Sequence, residues 1–146
     1  MNLKELEHRI ALKQLIDNVS ILGDKKDFNQ QVQLFTEDAV SETIAEGSTI
    51  LKLEGRTEMV EAFSKFLKDF ETINHFNGQQ VVNVEGNSAT GTCYCIITLI
   101  GNEKGEKIKT TIGAIYKDDY VLINERWLIA KRIANFNWQE KTEIHQ

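Results

Sequence analysis

The spacing of apolar residues changes once along this chain, and that change limits the folds open to it. Leu3, Leu6, Ile10, Leu15, Ile16, Val19 and Leu22 recur at near-helical intervals, which predicts an amphipathic helix over 3–22. Gly23 is its stop signal. Asp27 is placed to cap a second helix whose apolar positions are Phe28, Val32, Leu34 and Phe35. Thr36-Glu37-Asp38 interrupts the pattern, and 39–44 reads as extended. A third helix is predicted over 56–70, with Met59, Val60, Phe63, Phe66, Leu67 and Phe70 as a core-facing stripe. After His75 the character becomes that of strands, predicted over 79–84, 89–100, 107–116, 120–124 and 127–134. Turn signals at 85–88 and 101–105, and a tight turn near Glu125, separate them. Helices first and an antiparallel meander afterwards indicate an α+β fold. With no proline, linker or repeat in 146 residues, one domain over 1–146 is expected.

Composition excludes several functions. Net charge is −5 and the lysines are scattered, whereas phosphate contact needs a concentrated basic surface, so no nucleic-acid partner is expected. No apolar stretch approaches the roughly 20 residues of a membrane span. The charged start Met1-Asn2-Leu3-Lys4-Glu5 reads as a helix and not a signal peptide, which makes a cytoplasmic protein without membrane attachment the default. Cys93 and Cys95 stand two apart in a predicted strand, on one face but too far apart to bridge, and read as buried thiols. Their spacing is not a zinc motif, and with three histidines in the chain neither a metal nor a cofactor is expected.

Two residues carry candidate chemistry. Imidazole titrates near neutral pH and a carboxylate can orient it, so His75 paired with Asp24, from the acidic turn Gly23-Asp24-Lys25-Lys26-Asp27, could move protons. The competing reading is a strand-end histidine and a turn aspartate that never meet. Tyr94, Tyr116 and Tyr120 are candidates for a phenol on another wall of a pocket. Trp138, in the polar tail 135–139, is a candidate for closing the pocket or covering a dimer edge. Trp127 reads as core, and His8 and His145 as solvent-facing.

Three segments, Leu22–Phe28 continuing to Leu34–Val40, Asn74-His75-Phe76 leading into Val81–Ala89, and Tyr116–Val121 with Glu125–Arg132, resemble the SnoaL-like branch of the nuclear-transport-factor-2-like superfamily. Together they cover nearly the whole chain. The resemblance implies a curved antiparallel sheet wrapped by N-terminal helices into a cone around an apolar pocket, a small apolar ligand or substrate, and a homodimer formed through the sheet. Asp24 and His75 are similar to the catalytic aspartate and histidine of the family's scytalone dehydratases. That pattern implies a lyase or isomerase, with a non-catalytic ligand-binding module as the alternative. The chain departs from it at Gly23, where the pattern has tyrosine, and at Cys93-Tyr94-Cys95, where it has a second histidine.

Overall fold

A computed structural model describes residues 1–145. The elements run α1 (Leu3–Asp24), α2 (Phe28–Gln31), a 3-10 turn (Val32–Leu34), β1 (Phe35–Ala45), β2 (Ser48–Glu54), α3 (Arg56–Leu67), β3 (Phe70–Glu85), β4 (Ser88–Glu103), β5 (Glu106–Ile123) and β6 (Arg126–Glu143). The strands form one sheet in the order β2-β1-β6-β5-β4-β3. The expected antiparallel pairing holds throughout except between β1 and β6, which run parallel.

Helix α1 begins where Asn2 Oδ1 accepts the Glu5 N–H at 2.8 Å, satisfying one of the orphan donors of the first turn. Its inner stripe of Leu12, Leu15, Ile16 and Val19 is buried against the sheet. Full burial stabilises by about 1.5–3 kcal/mol per side chain of this size. Polar contacts pin the same helix to β3, with Asn77 Nδ2 donating to Asp17 Oδ1 at 3.1 Å and Arg9 Nη1 to the Val82 carbonyl at 3.1 Å. The helix runs one residue past Gly23 to Asp24, and Lys26 then turns the chain in a left-handed conformation (φ 59°). Asp27 caps α2 as its position suggested, its Oδ1 accepting from Gln30 N–H.

The strands exceed their predicted lengths, and the reason is a change of phase within them. In β3 the inward side chains are Ile73, His75 and Asn77, then Gln80, Val82 and Val84. The pairing shifts between Asn77 and Gln80, where one extra residue bulges and switches the inward set from odd to even positions. Strand β6 does the same. Trp127 and Ile129 point inward, the pairing with β5 slips at Asp119/Tyr120, and Arg132, Ala134 and Phe136 follow. Simple alternation fails across such points, so β3 begins at Phe70 rather than 79, and the third helix ends at Leu67. Strand β5 joins the two segments predicted at 107–116 and 120–124, β6 continues through the supposed polar tail, and the β1–β2 hairpin takes in the segment that read only as extended. Glu46-Gly47, Lys104-Gly105 and Asn124-Glu125 each place two successive residues at positive φ, the tight hairpin geometry that matches the twist of the strands.

The core includes Tyr120, Ile129, Met59 and Cys93, each essentially without exposure. Trp127 is buried as expected, but His8 is not simply a solvent-facing residue: the indole Nε1–H donates to His8 Nδ1 at 3.0 Å. A helix position alone gives no hint of a partner 119 residues away. His145 is exposed. Among the described residues no helix is long and apolar enough to cross a membrane.

Cys93 and Cys95 are free and buried, and burial pushes each thiol up from 9.0 to about 11. The folded protein therefore holds these protons more tightly than the unfolded chain does. Their contribution to stability is complete below pH 9 and is lost as the pH rises towards 11. Denaturant midpoints measured from pH 8 to 10.5 are expected to fall, and to fall less steeply in a Cys93→Ala/Cys95→Ala variant. Equal slopes would contradict the assignment.

Candidate functional site

The concave face of the sheet is not filled. Between it, the end of α1 and α3 lies a cavity of about 400 Å³, enough for a ligand of one or two rings. Ile97, Leu99 and Ile112 form its floor, Phe28, Phe35 and Phe136 its sides, and Phe63, Phe66 and Leu67 of α3 its cover. Ile50 and Phe66 line it while remaining more than half exposed, which places the opening between β2 and α3. Lys26 Nζ donates to the Lys68 and Phe70 carbonyls and Arg56 to the Phe35 carbonyl, tying both ends of α3 down.

At the end of this cavity closest to α1, the structure brings His75 and Asp24 together. Asp24 Oδ1 lies 2.7 Å from His75 Nδ1, and the carboxylate also accepts the His75 main-chain N–H at 3.0 and 3.2 Å. A carboxylate can only accept, so a neutral imidazole carries its hydrogen on Nδ1 and leaves the lone pair on Nε2. His75 is part of the cavity wall, and no hydrogen bond from the described residues engages its Nε2. Both side chains are about four-fifths buried. Alternation along β3 aims the imidazole inward, and the final turn of α1 delivers Asp24 to meet it.

A second polar cluster, which the sequence reading did not assemble, lies on the sheet floor. Arg132 donates from Nε and Nη2 to the two oxygens of Asp118 at 2.8 and 2.9 Å, and Tyr120 Oη donates to the same carboxylate at 2.8 Å. The guanidinium carbon sits 4.0 Å from the centre of the Tyr116 ring. Burial opposes the charge on Arg132, but Asp118 more than offsets it and holds the guanidinium charged. Burial likewise raises Tyr116, which keeps its phenolic proton. Arg132 and Tyr116 both line the cavity. The bulge in β6 is what turns Arg132 inward, and nothing in local composition announces it.

The four aromatic candidates separate. Tyr116 is on the cavity wall. Tyr120 is buried, but its hydroxyl is committed to Asp118 and it does not line the cavity. Tyr94 stands between the inward Cys93 and Cys95 and is therefore on the outer face, 49% exposed. Trp138 is also outside. It packs over Gly113, where a Cβ would come within 2.7 Å of three indole atoms, and Gly113 faces away from its cavity-lining neighbour Ile112. Neither Tyr94 nor Trp138 can touch a ligand in this cavity, because the strands carrying them alternate the wrong way. Among the described residues no cluster of three or more His, Cys, Asp or Glu could hold a metal.

Removing one member of a buried ion pair leaves the other charge uncompensated, at a cost of about 3–5 kcal/mol. Arg132→Met alone is expected to lose stability on that scale, and Asp118→Leu/Arg132→Met to regain most of it. Chemical denaturation of both variants checks this, and additive losses would refute the coupling.

The fold recurs among solved structures. A candidate scytalone dehydratase of Novosphingobium aromaticivorans superposes with a TM-score of 0.81 at 16% identity, covering 97% of this chain and 91% of its own. A hexachlorocyclohexane dehydrochlorinase, LinA type 2, superposes with a TM-score of 0.80 at 19% identity, covering 99% of this chain and 94% of its own. In sequence, the uncharacterized protein Rv2910c of Mycobacterium tuberculosis is 25% identical over 141 residues, 96% of this chain and 92% of that protein. The SnoaL-like domain model matches residues 4–133, which span α1 through the first part of β6 and include every polar side chain of the cavity, so this chain belongs to the SnoaL-like family.

Proposed function

We propose that this protein is a small-molecule lyase or isomerase in which His75 moves a proton and Asp24 orients it. The observation that carries this reading is the 2.7 Å contact between Asp24 and His75 Nδ1 at the wall of an apolar cavity. With Nδ1–H held by the carboxylate, Nε2 is the base: it takes a proton from a carbon next to a carbonyl, and Asp24 stabilises the imidazolium that results. The electrons move onto the carbonyl oxygen, and the Tyr116 hydroxyl and the Arg132 guanidinium are the donors available in the same cavity for that developing charge. The imidazolium then returns its proton. Return to another carbon completes an isomerisation, and delivery to a departing β-hydroxyl releases water and completes a dehydration. The likeness to a candidate scytalone dehydratase and to a dehydrochlorinase supports this class of chemistry, since both names describe eliminations. The apolar walls favour a cyclic, weakly polar substrate.

One observation favours the non-catalytic alternative. Cys93 and Cys95, where the dehydratase pattern has its second histidine, are pushed up to about 11 by burial and stay protonated near neutral pH, so they supply no second base there. A binder would need the cavity but not the basicity of Nε2. The readings separate in deuterated buffer, with exchange of the α-hydrogens of 2-tetralone followed by NMR. His75→Gln is expected to slow protein-dependent exchange by about 10²–10⁴-fold. Exchange at the wild-type rate in that variant would leave only the binding module.

The outer face supports a homodimer. Phe76, Ile96 and Trp138 follow one another across β3, β4 and β6, with Gly113 of β5 between the last two, and each of these side chains is more than two-fifths exposed. Tyr94 adjoins this row. A contiguous apolar row on a sheet face is the signature of a surface that a partner covers. Sedimentation equilibrium is expected to give a dimer for the wild type and a monomer for Ile96→Lys. A monomeric wild type would remove the proposal.

A further inference from the structure

Gln31 is more than nine-tenths buried and forms part of the cavity wall, yet one of its two polar atoms is unused. Its Nε2 donates to the Val19 carbonyl at 2.9 Å. A carbonyl can only accept, so the carboxamide cannot be reversed, and Oε1 is the atom without a hydrogen-bond partner. An acceptor left unpaired away from water is costly, and an isosteric Met would avoid that cost. The position of the carboxamide is equally specific. A Cβ on Gly23 would lie 2.8 Å from Gln31 Nε2 and 3.9 Å from His75 Cε1, so the amide and the imidazole edge converge on the same small residue. Any larger side chain at 23 would displace the amide.

We infer that Gln31 selects the ligand: its Oε1 accepts a hydrogen bond from a hydroxyl or N–H group on a small apolar molecule held beside His75. Because the planar carboxamide is held through Nε2 at the Val19 carbonyl, Oε1 is the atom of this wall-lining side chain left to accept from a ligand. The inference rests on the cavity being a ligand site, as proposed above, but not on the proton transfer. Gln31 is a positioning residue here, and the ligand class it defines is a ring system with a hydrogen-bond donor on its rim.

The test compares 1-naphthol with 1-methoxynaphthalene, which keeps the rings and oxygen but loses the donor, by calorimetric titration. The wild type is expected to prefer naphthol by about tenfold, the equivalent of one net hydrogen bond. Gln31→Met is expected to abolish the preference while binding the ether as before, and to be at least as stable as the wild type. Gly23→Ala, a favourable change in a helix, displaces the amide without deleting it and is expected to reduce the preference too. His75→Phe is expected to keep it. A preference that survives Gln31→Met, or that vanishes only with His75→Phe, overturns the inference. A wild type that binds neither compound overturns the ligand site along with it. Discrimination retained alongside turnover indifferent to His75 would sink the proton-transfer reading and leave this one standing.

Discussion

Four strands of 16 to 18 residues cannot lie flat beneath a 22-residue helix, and the bending they must undergo shapes everything else in the molecule. Twist supplies part of the curvature and the bulges in β3 and β6 supply the rest. Helix α1 lies on β3 and touches β6 only lightly, so the concave surface between the two is partly uncovered. Helix α3 and the β1–β2 hairpin close it from above without filling it. The cavity is thus a result of geometry before it is a result of side-chain choice.

Within that space two carboxylates are used in opposite ways. Asp118 is enclosed by Arg132 and Tyr120, so its charge is fully occupied and it serves the sheet. Among the described residues Asp24 pairs with no lysine or arginine. It accepts from the main chain and the ring of one residue, His75, which fixes an imidazole rather than neutralising a cation. A charge held by main-chain and imidazole N–H groups remains available to stabilise a neighbouring imidazolium, whereas one locked to arginine does not. Together the two clusters give the cavity an imidazole at one end and Arg132 and Tyr116 on its floor.

Much of this was legible in the residues. The helical stripe of α1, the Asp27 cap and the shift to strands after α3 follow from local spacing, and local spacing determined them. Residue chemistry and resemblance single out Asp24 and His75, but 51 positions separate them and no periodicity links them, so local spacing leaves open whether they meet. What escaped the reading is what a bulge conceals. Arg132 and the early part of β3 face inward only because one extra residue resets the alternation, and a period-two pattern cannot reveal its own interruption. Of the two roles open to Trp138 the strand excludes closing the pocket: its polar neighbours look like a tail, but they continue β6, whose last residues are exposed and whose alternation puts Trp138 on the outer face. The Gln31 acceptor could not be read at all, since an unpaired atom is defined by what surrounds it.

Neighbouring residues of β3 serve opposite sides of the sheet, His75 towards the cavity and Phe76 towards the outer row. Gain or loss of a single codon between Ile73 and Asn77 would exchange them, removing the imidazole from the interior and placing it on the exterior in one event. A change of length in this stretch of β3 therefore keeps both faces in place only when it comes in even steps. The strand works as a reading frame, in which the inner chemistry and the outer surface are inherited together or lost together.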